Sequence, residues 1–214
     1  MPLRHIGKKI GMTQIFDDKG SLVPVTVIQA GPCHVIQKRL AGRDGYEAVQ
    51  VGYDDKPARL ANKAALGAFK KAGVAPKRVL REFRGPEAAE LEVGQALDLG
   101  LFAEGECVDI IGTSKGRGYT GVYKRHGSRP GPKTHGSMYH NRPGSNGGSS
   151  DPSRTYKGKP LAGQHGNARV TAQNMTIVKM LPEKNILLVL GSVPGANNGY
   201  VLIRKRKAAA KKAA

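Results

Sequence analysis

The sequence predicts a mainly β fold, a small β-barrel with a long basic loop extension and one or two short helices. Three observations predict it. Short β-like runs punctuated by Gly, Pro and Asp turn signals occupy both ends of the chain. Between them lies a Gly-rich segment with hardly any acidic or large aliphatic residues. The excess of 35 Lys and Arg over 16 Asp and Glu, a net +19 in 214 residues, is concentrated in that segment and in the C-terminal tail.

Residues 11–16 and 22–29 flank Asp17-Asp18-Lys19-Gly20, whose residue types suit a tight reversal, so the pair reads as a β-hairpin. Residues 34–38, 47–53 and 107–112 supply further strand candidates, joined by stretches rich in Gly, Pro and Asp. A helix is predicted over residues 61–72. Asn62 can cap it, Ala65, Leu66 and Phe69 form an apolar stripe, and Gly73 stops it. Residues 74–83 add another short element. After the basic segment, residues 170–180, 185–190 and 200–204 return to β-branched and apolar runs. Turns at Pro182-Glu183-Lys184 and Pro194-Gly195 separate them. The two strand-rich stretches therefore form one discontinuous body, residues 1–111 and 170–203, with residues 112–169 as an excursion and 204–214 as a basic tail.

Residues 112–169 contain 11 Lys and Arg against one acid, Asp151, a net +10. Residues 204–214 add six basic residues and no acid, which leaves +3 for the body. The excursion holds 13 Gly and four of the six His, while Val122, Met138 and Leu161 are nearly its only large aliphatic side chains. Such a segment buries too little apolar surface to offset its conformational entropy, so it needs a partner to become ordered. Extended as a two-legged hairpin at about 3.3 Å per residue, it reaches several tens of ångströms. A disordered linker is the bland alternative, but the recurring Tyr and His are unlike the monotony of linkers.

The net charge calls for a polyanionic partner, and nucleic acid is the first candidate. No apolar run approaches the roughly 20 residues that span a bilayer, and the N-terminus lacks the apolar core of a signal peptide, so the chain reads as cytosolic without a membrane partner. Cys33 and Cys107 are far apart and form neither a metal clasp nor a disulfide framework. They read as reduced, packed thiols.

Gly116-Arg117-Gly118-Tyr119-Thr120-Gly121 matches the dinucleotide pattern GxGxxG. No apolar helix follows, and no acid stands about 20 residues on to hold a ribose, so a flexible basic turn is the better reading. His126, His135, His140 and His165 lack a carboxylate or Cys spaced to complete a metal or catalytic site. No catalytic residue, metal, cofactor or small-molecule substrate is expected. Tyr119, Tyr123, Tyr139 and Tyr156 stand among Lys and Arg, as expected where rings stack on exposed bases while cations neutralise phosphate. Tyr119 and Tyr123 lie nearest the body and are the expected anchors. The expected RNA contacts are Lys115, Arg117, Lys124, Arg125, Arg129, Lys133, His135, His140, Arg142, Arg154, Lys157, Lys159, Gln164 and Arg169.

Several ordered motifs give the chain a family resemblance. They are Gly7-Lys8-Lys9-Ile10-Gly11-Met12-Thr13-Gln14, Gly112-Thr113-Ser114-Lys115-Gly116-Arg117-Gly118, Thr134-His135-Gly136-Ser137, Arg142-Pro143-Gly144-Ser145, Lys157-Gly158-Lys159-Pro160-Leu161-Ala162-Gly163-Gln164, Gly166-Asn167-Ala168-Arg169-Val170-Thr171 and Gly191-Ser192-Val193-Pro194-Gly195-Ala196. Together they resemble bacterial ribosomal protein L-three of the large subunit, over nearly the whole chain. The resemblance implies a translation-protein-type β-barrel and a non-enzymatic structural constituent of the cytoplasmic ribosome. It also implies binding to large-subunit (23S) rRNA, early assembly of the 50S subunit, a loop directed toward the peptidyl transferase centre, and neighbouring ribosomal proteins as partners. Many bacterial members carry a methylatable Gln after Pro-Gly-Ser-x-Gly. Here that position is Gly148, so the modification does not carry over. The competing readings are a free RNA or DNA chaperone and an enzyme that uses the GxGxxG-like turn.

Overall fold

A computed structural model of the chain describes residues 4–17, 19–84 and 91–206. The tail beyond Arg206 and residue Asp18 of the first turn lie outside the described residues. The chain divides into two compact units, one formed by residues before Ser114 and after Ala168, the other by Ser114–Ala168.

The first unit begins with the expected hairpin, β1 (Arg4–Phe16) and β2 (Leu22–Ala30). β1 starts earlier than the sequence predicts, because Gly7, Lys8 and Lys9 also pair with Ala30, Gln29 and Ile28 of β2. Gly7 fits there because it lacks a side chain. A Cβ at Gly7 would lie 2.8 Å from Ile28 Cγ2. Next come β7 (Cys107–Thr113), β10 (Arg169–Leu181), β11 (Ile186–Leu190) and β12 (Tyr200–Lys205). These six strands close an antiparallel barrel in the order β1-β12-β7-β10-β11-β2. Closure removes the free edges that an open sheet would present.

A second sheet takes β3 (Cys33–Arg39), β4 (Ala48–Asp55), β5 (Lys77–Phe83) and β6 (Ala96–Leu97), in the order β5-β4-β3-β6. The strand signals give no hint of this division. Strand alternation does the sorting, because successive side chains point to opposite faces. In β12, Val201 and Ile203 join the barrel interior with Ile28, Ile110, Ile177 and Leu187, while Leu202 packs against the other cluster. That cluster unites Ile6 of β1 with Val35, Val49, Val51 and Phe83 of the second sheet.

The helix α2 (Lys63–Ala72) starts and stops as expected. Asn62 Oδ1 accepts the Ala65 amide at 2.8 Å, and Gly73 ends the helix at φ 68°. Phe69 and Ala72 are buried, with Ala65 packed beside them. Residues 74–83 contain β5. A one-turn helix, α1 (Ala41–Asp44), and single 3-10 turns at Ala58–Leu60, Leu99–Leu101 and Pro182–Lys184 complete the helices of this unit among the described residues.

Two boundaries are corrected. Arg204, which the sequence placed both at the end of a strand and at the start of the tail, belongs to β12, and Lys205, expected in the tail, is its last residue; they pair with Asp109 (2.9 Å) and Glu106 (3.3 Å). Arg169, expected in the loop, opens β10 opposite Thr113.

Candidate nucleic-acid interface

The second unit, Ser114–Ala168, is closed at its chain ends by Ser114. Its amide donates to Ala168 O at 2.9 Å, and its Oγ accepts the Ala168 amide at 3.3 Å. Within the unit, β8 (Gly118–Thr120) pairs with β9 (Gly163–His165), setting Tyr119 opposite Gln164. The five-residue helix α3 (Val122–His126) follows and ends at Gly127, φ 67°. Residues 128–162 carry no helix or strand and are held by turn bonds. Gly131 N donates to His140 O at 2.7 Å, and Ser145 Oγ donates to Gly147 O at 2.8 Å.

Only Val122 and Thr120 are buried among the described residues of this unit. The sequence accounts for this: one acid and few aliphatic residues leave little to pack and few ion pairs to form. Every described ion pair lies in the first unit, involving Arg39, Arg43, Lys77, Arg78, Arg204 or Lys205.

Among the described residues, Lys115, Arg117, Lys124, Arg129, Lys133, Arg142 and Lys157 are exposed cations whose side chains hydrogen-bond to no protein group. Arg154 is exposed and rests over its neighbour Tyr156, 5.8 Å from the ring centroid. His135 and His140 are exposed at positive φ, 59° and 44°. Gln164 is exposed on β9, and Arg169 is exposed in the first unit. Two expected contacts behave differently. Arg125 Nη1 donates to Leu161 O at 2.7 Å and Lys159 Nζ donates to Ser145 O at 2.5 Å, so both hold the unit's own backbone together. Both are accordingly half-buried.

The tyrosines depart from expectation. Tyr119 is 80 % exposed and Tyr123 48 %, so neither ring is an anchored core residue. Tyr139 is fixed by two neighbouring glycines. A Cβ at Gly131 would lie 2.6 Å from its Cδ1, and one at Gly144 would lie 3.1 Å from its Oη. Spaced glycines beside a tyrosine carried that signal in the sequence, but only the fold shows them adjacent.

The GxGxxG-like run does not form a phosphate turn. Its second glycine, Gly118, opens β8 at φ 67°, and Gly121 precedes the short α3. Among the described residues, no group of three or more His, Cys, Asp or Glu side chains is arranged to hold a metal. No helix of the described residues is long and apolar enough to cross a membrane.

Burial displaces proton affinities in the first unit. It lowers His5 to about 4 and pushes the Cys33 thiol up to about 12, against the opposing hydrogen bond to Ile6 O. Burial also raises Tyr53 above the ordinary phenol range, with the nearby Cys33 and Asp54 acting in the same direction. These groups stabilise or destabilise the fold; none belongs to the cationic surface.

The family model described as Ribosomal protein L3 matches residues 88–182. The large ribosomal subunit protein uL3 of Geobacillus kaustophilus (strain HTA426) is 52% identical over 208 residues, covering 97% of this chain and 97% of that protein. The protein of the same name from Halalkalibacterium halodurans is 52% identical over 199 residues, covering 93% of this chain and 95% of that protein.

Proposed function

The chain belongs to the ribosomal protein L3 family, and on that premise we propose that Ser114–Ala168 is its principal rRNA-binding element. As a family member the chain is a structural, non-enzymatic constituent of the large ribosomal subunit in the cytoplasm. The finer reading is that it binds 23S rRNA, helps nucleate 50S assembly alongside neighbouring ribosomal proteins, and directs this element toward the peptidyl transferase centre.

One observation carries the reading. Seven exposed Lys and Arg side chains in this unit have no protein acceptor among the described residues, and every described ion pair falls in the first unit, where six cations meet carboxylates. Unpaired cations on a unit with almost no core suit a partner that supplies both phosphate charge and packing surface. Such a unit acts by neutralisation, stacking and shape fit, with no covalent step. A free nucleic-acid chaperone would use the same charges, but family membership favours residence in the subunit.

Deletion tests the proposal directly. Thr113 and Arg169 face each other in the β7–β10 pair, so a two-residue turn can replace Ser114–Ala168. The shortened protein should keep its thermal unfolding transition, lose most of its affinity for deproteinised 23S rRNA, and show a much flatter plot of log affinity against log salt. Unchanged affinity and slope would sink the proposal. Absence of the full chain from purified large subunits at ordinary salt would sink ribosomal residence.

A further inference from the structure

Within the second unit, Tyr123, Tyr139 and three prolines, Pro130, Pro143 and Pro160, wall a cavity of about 110 Å³ whose lining includes the buried Val122. We propose that this cavity receives a single unstacked base of the bound RNA. The proposal rests on the rRNA-binding reading above and specifies the ligand class at one place in it.

Size narrows the occupant first. Liquid water occupies about 30 Å³ per molecule, so the cavity exceeds one ordered water several-fold. It is also well below the roughly 300 Å³ at which pockets for drug-sized ligands begin. A single flat ring system fits between those limits.

Chemistry narrows it further. Tyrosine rings and proline faces offer flat apolar surfaces, the kind on which splayed bases stack in single-stranded RNA recognition. The polar groups Ser128 and Asn141 also line the cavity and supply hydrogen-bonding capacity for a base edge. Arg129 and Arg142 line it too, and neither side chain has a protein partner among the described residues. Two cations beside a base-sized recess match the phosphates that flank any inserted nucleotide. The only acid in the whole unit is Asp151, which is not part of this lining.

The recess is also preorganised. The missing side chains at Gly131 and Gly144 set the Tyr139 ring, and Lys159 fixes Ser145 by its 2.5 Å bond to that carbonyl. Tyr139 nevertheless remains 44 % exposed and Tyr123 48 %, so substantial aromatic surface is available to a ligand. An aromatic wall already in place and partly exposed loses less entropy when a base lands on it than one that must first assemble.

The test uses the full chain, deproteinised 23S rRNA, and chemical probing of base edges. Four proteins are compared: wild type, Tyr123→Phe, Tyr123→Ala and the cavity-filling Ser128→Phe. The expected result is one base protected by wild type and by Tyr123→Phe, and reactive again with Tyr123→Ala and Ser128→Phe. Affinity should fall on the order of tenfold in the latter two. The salt slope should not change, because neither substitution removes a phosphate contact. Protection retained in either of those two variants overturns the base pocket, as does protection lost with Tyr123→Phe. A cavity that instead accepts a neighbouring protein yields no such base on rRNA alone, which also overturns it. Wild type that binds rRNA with a steep salt slope but protects no such base removes this proposal alone. Wild type without salt-dependent binding removes the rRNA-binding reading itself.

Discussion

Lys9 Nζ lies 2.8 Å from the carbonyl oxygen of Val193, with its side chain buried. It also reaches Gly195 O at 3.4 Å, while the Lys9 backbone pairs with Asn198 and Gly199. A lysine in the N-terminal motif, which composition would count toward RNA binding, thus fastens the residue 193–199 loop to β1. Replacing it with Met leaves those carbonyls short of a donor, at a cost of about 1–3 kcal/mol. Urea unfolding of Lys9→Met should show that loss. The salt slope of rRNA binding should match wild type, and a flatter slope would mean that Lys9 contacts phosphate after all.

His5 supplies a pH signature of the same unit. It is fully buried, its ring nitrogens make no well-aligned hydrogen bond among the described residues beyond a weak approach to the Ala30 backbone, and its ring meets Phe102 edge-on at 6.1 Å. Burial depresses its pKa from 6.5 to about 4, against the opposing influence of the Ala30 backbone and Asp98. The unfolded chain therefore binds more protons than the folded one between those values. Stability is fully present above pH 6.5 and declines as pH falls toward 4, by roughly 3 kcal/mol in all. His34 titrates in the same direction, so the assignment needs a variant. His5→Phe should flatten the stability profile between pH 6.5 and 4. A profile as steep as wild type would assign the effect elsewhere.

The cationic side chains of the second unit divide into two kinds that a sequence cannot separate. Arg117 and Arg129 are exposed without protein acceptors, whereas Arg125 is held by Leu161 O. Arg117→Ala and Arg129→Ala should each flatten the salt slope by about 0.7–0.9 without moving the thermal midpoint. Arg125→Ala should instead loosen the unit, seen as faster proteolysis within residues 122–162 of the free protein. Equal slope changes for all three would erase the distinction.

The strands and α2 were legible because their signals are local. Alternation and turn residues mark β2, β3, β7, β11 and β12, and Asn62 with Gly73 marks α2. The split between barrel and second sheet was not legible. It depends on which strand Ile6 and Leu202 face, a relation between residues nearly two hundred positions apart. The positive, acid-poor composition of the second unit was also plain. The commitment of Arg125 and Lys159 to backbone carbonyls was hidden, because any Lys or Arg in a Gly-rich run reads as free. The Tyr123–Tyr139 recess was hidden for the same reason. It is assembled from prolines and glycines that individually signal only turns.

Gly166 offers the sharpest test that the geometry of the second unit matters as well as its charge. Its φ is 71°, and a Cβ there would meet Lys115 O at 2.1 Å and Gly116 Cα at 3.0 Å. Both contacts are with backbone, so no side-chain rotation relieves them, and the positive φ adds its own strain. Gly166→Ala must therefore part the strand ends where Arg117 N meets His165 O and Asn167 N meets Ser114 O. The substitution leaves every cation in place. If charge alone drives binding, affinity and salt slope should be unchanged. If the unit must present its cations from a set shape, affinity for 23S rRNA should fall at least tenfold while the first unit's thermal transition stays where it was. Titration of both proteins at two salt concentrations, with unfolding followed in parallel, separates the outcomes. The structure predicts the second, because the paired ends that Gly166 permits are among the few regular hydrogen bonds this unit makes.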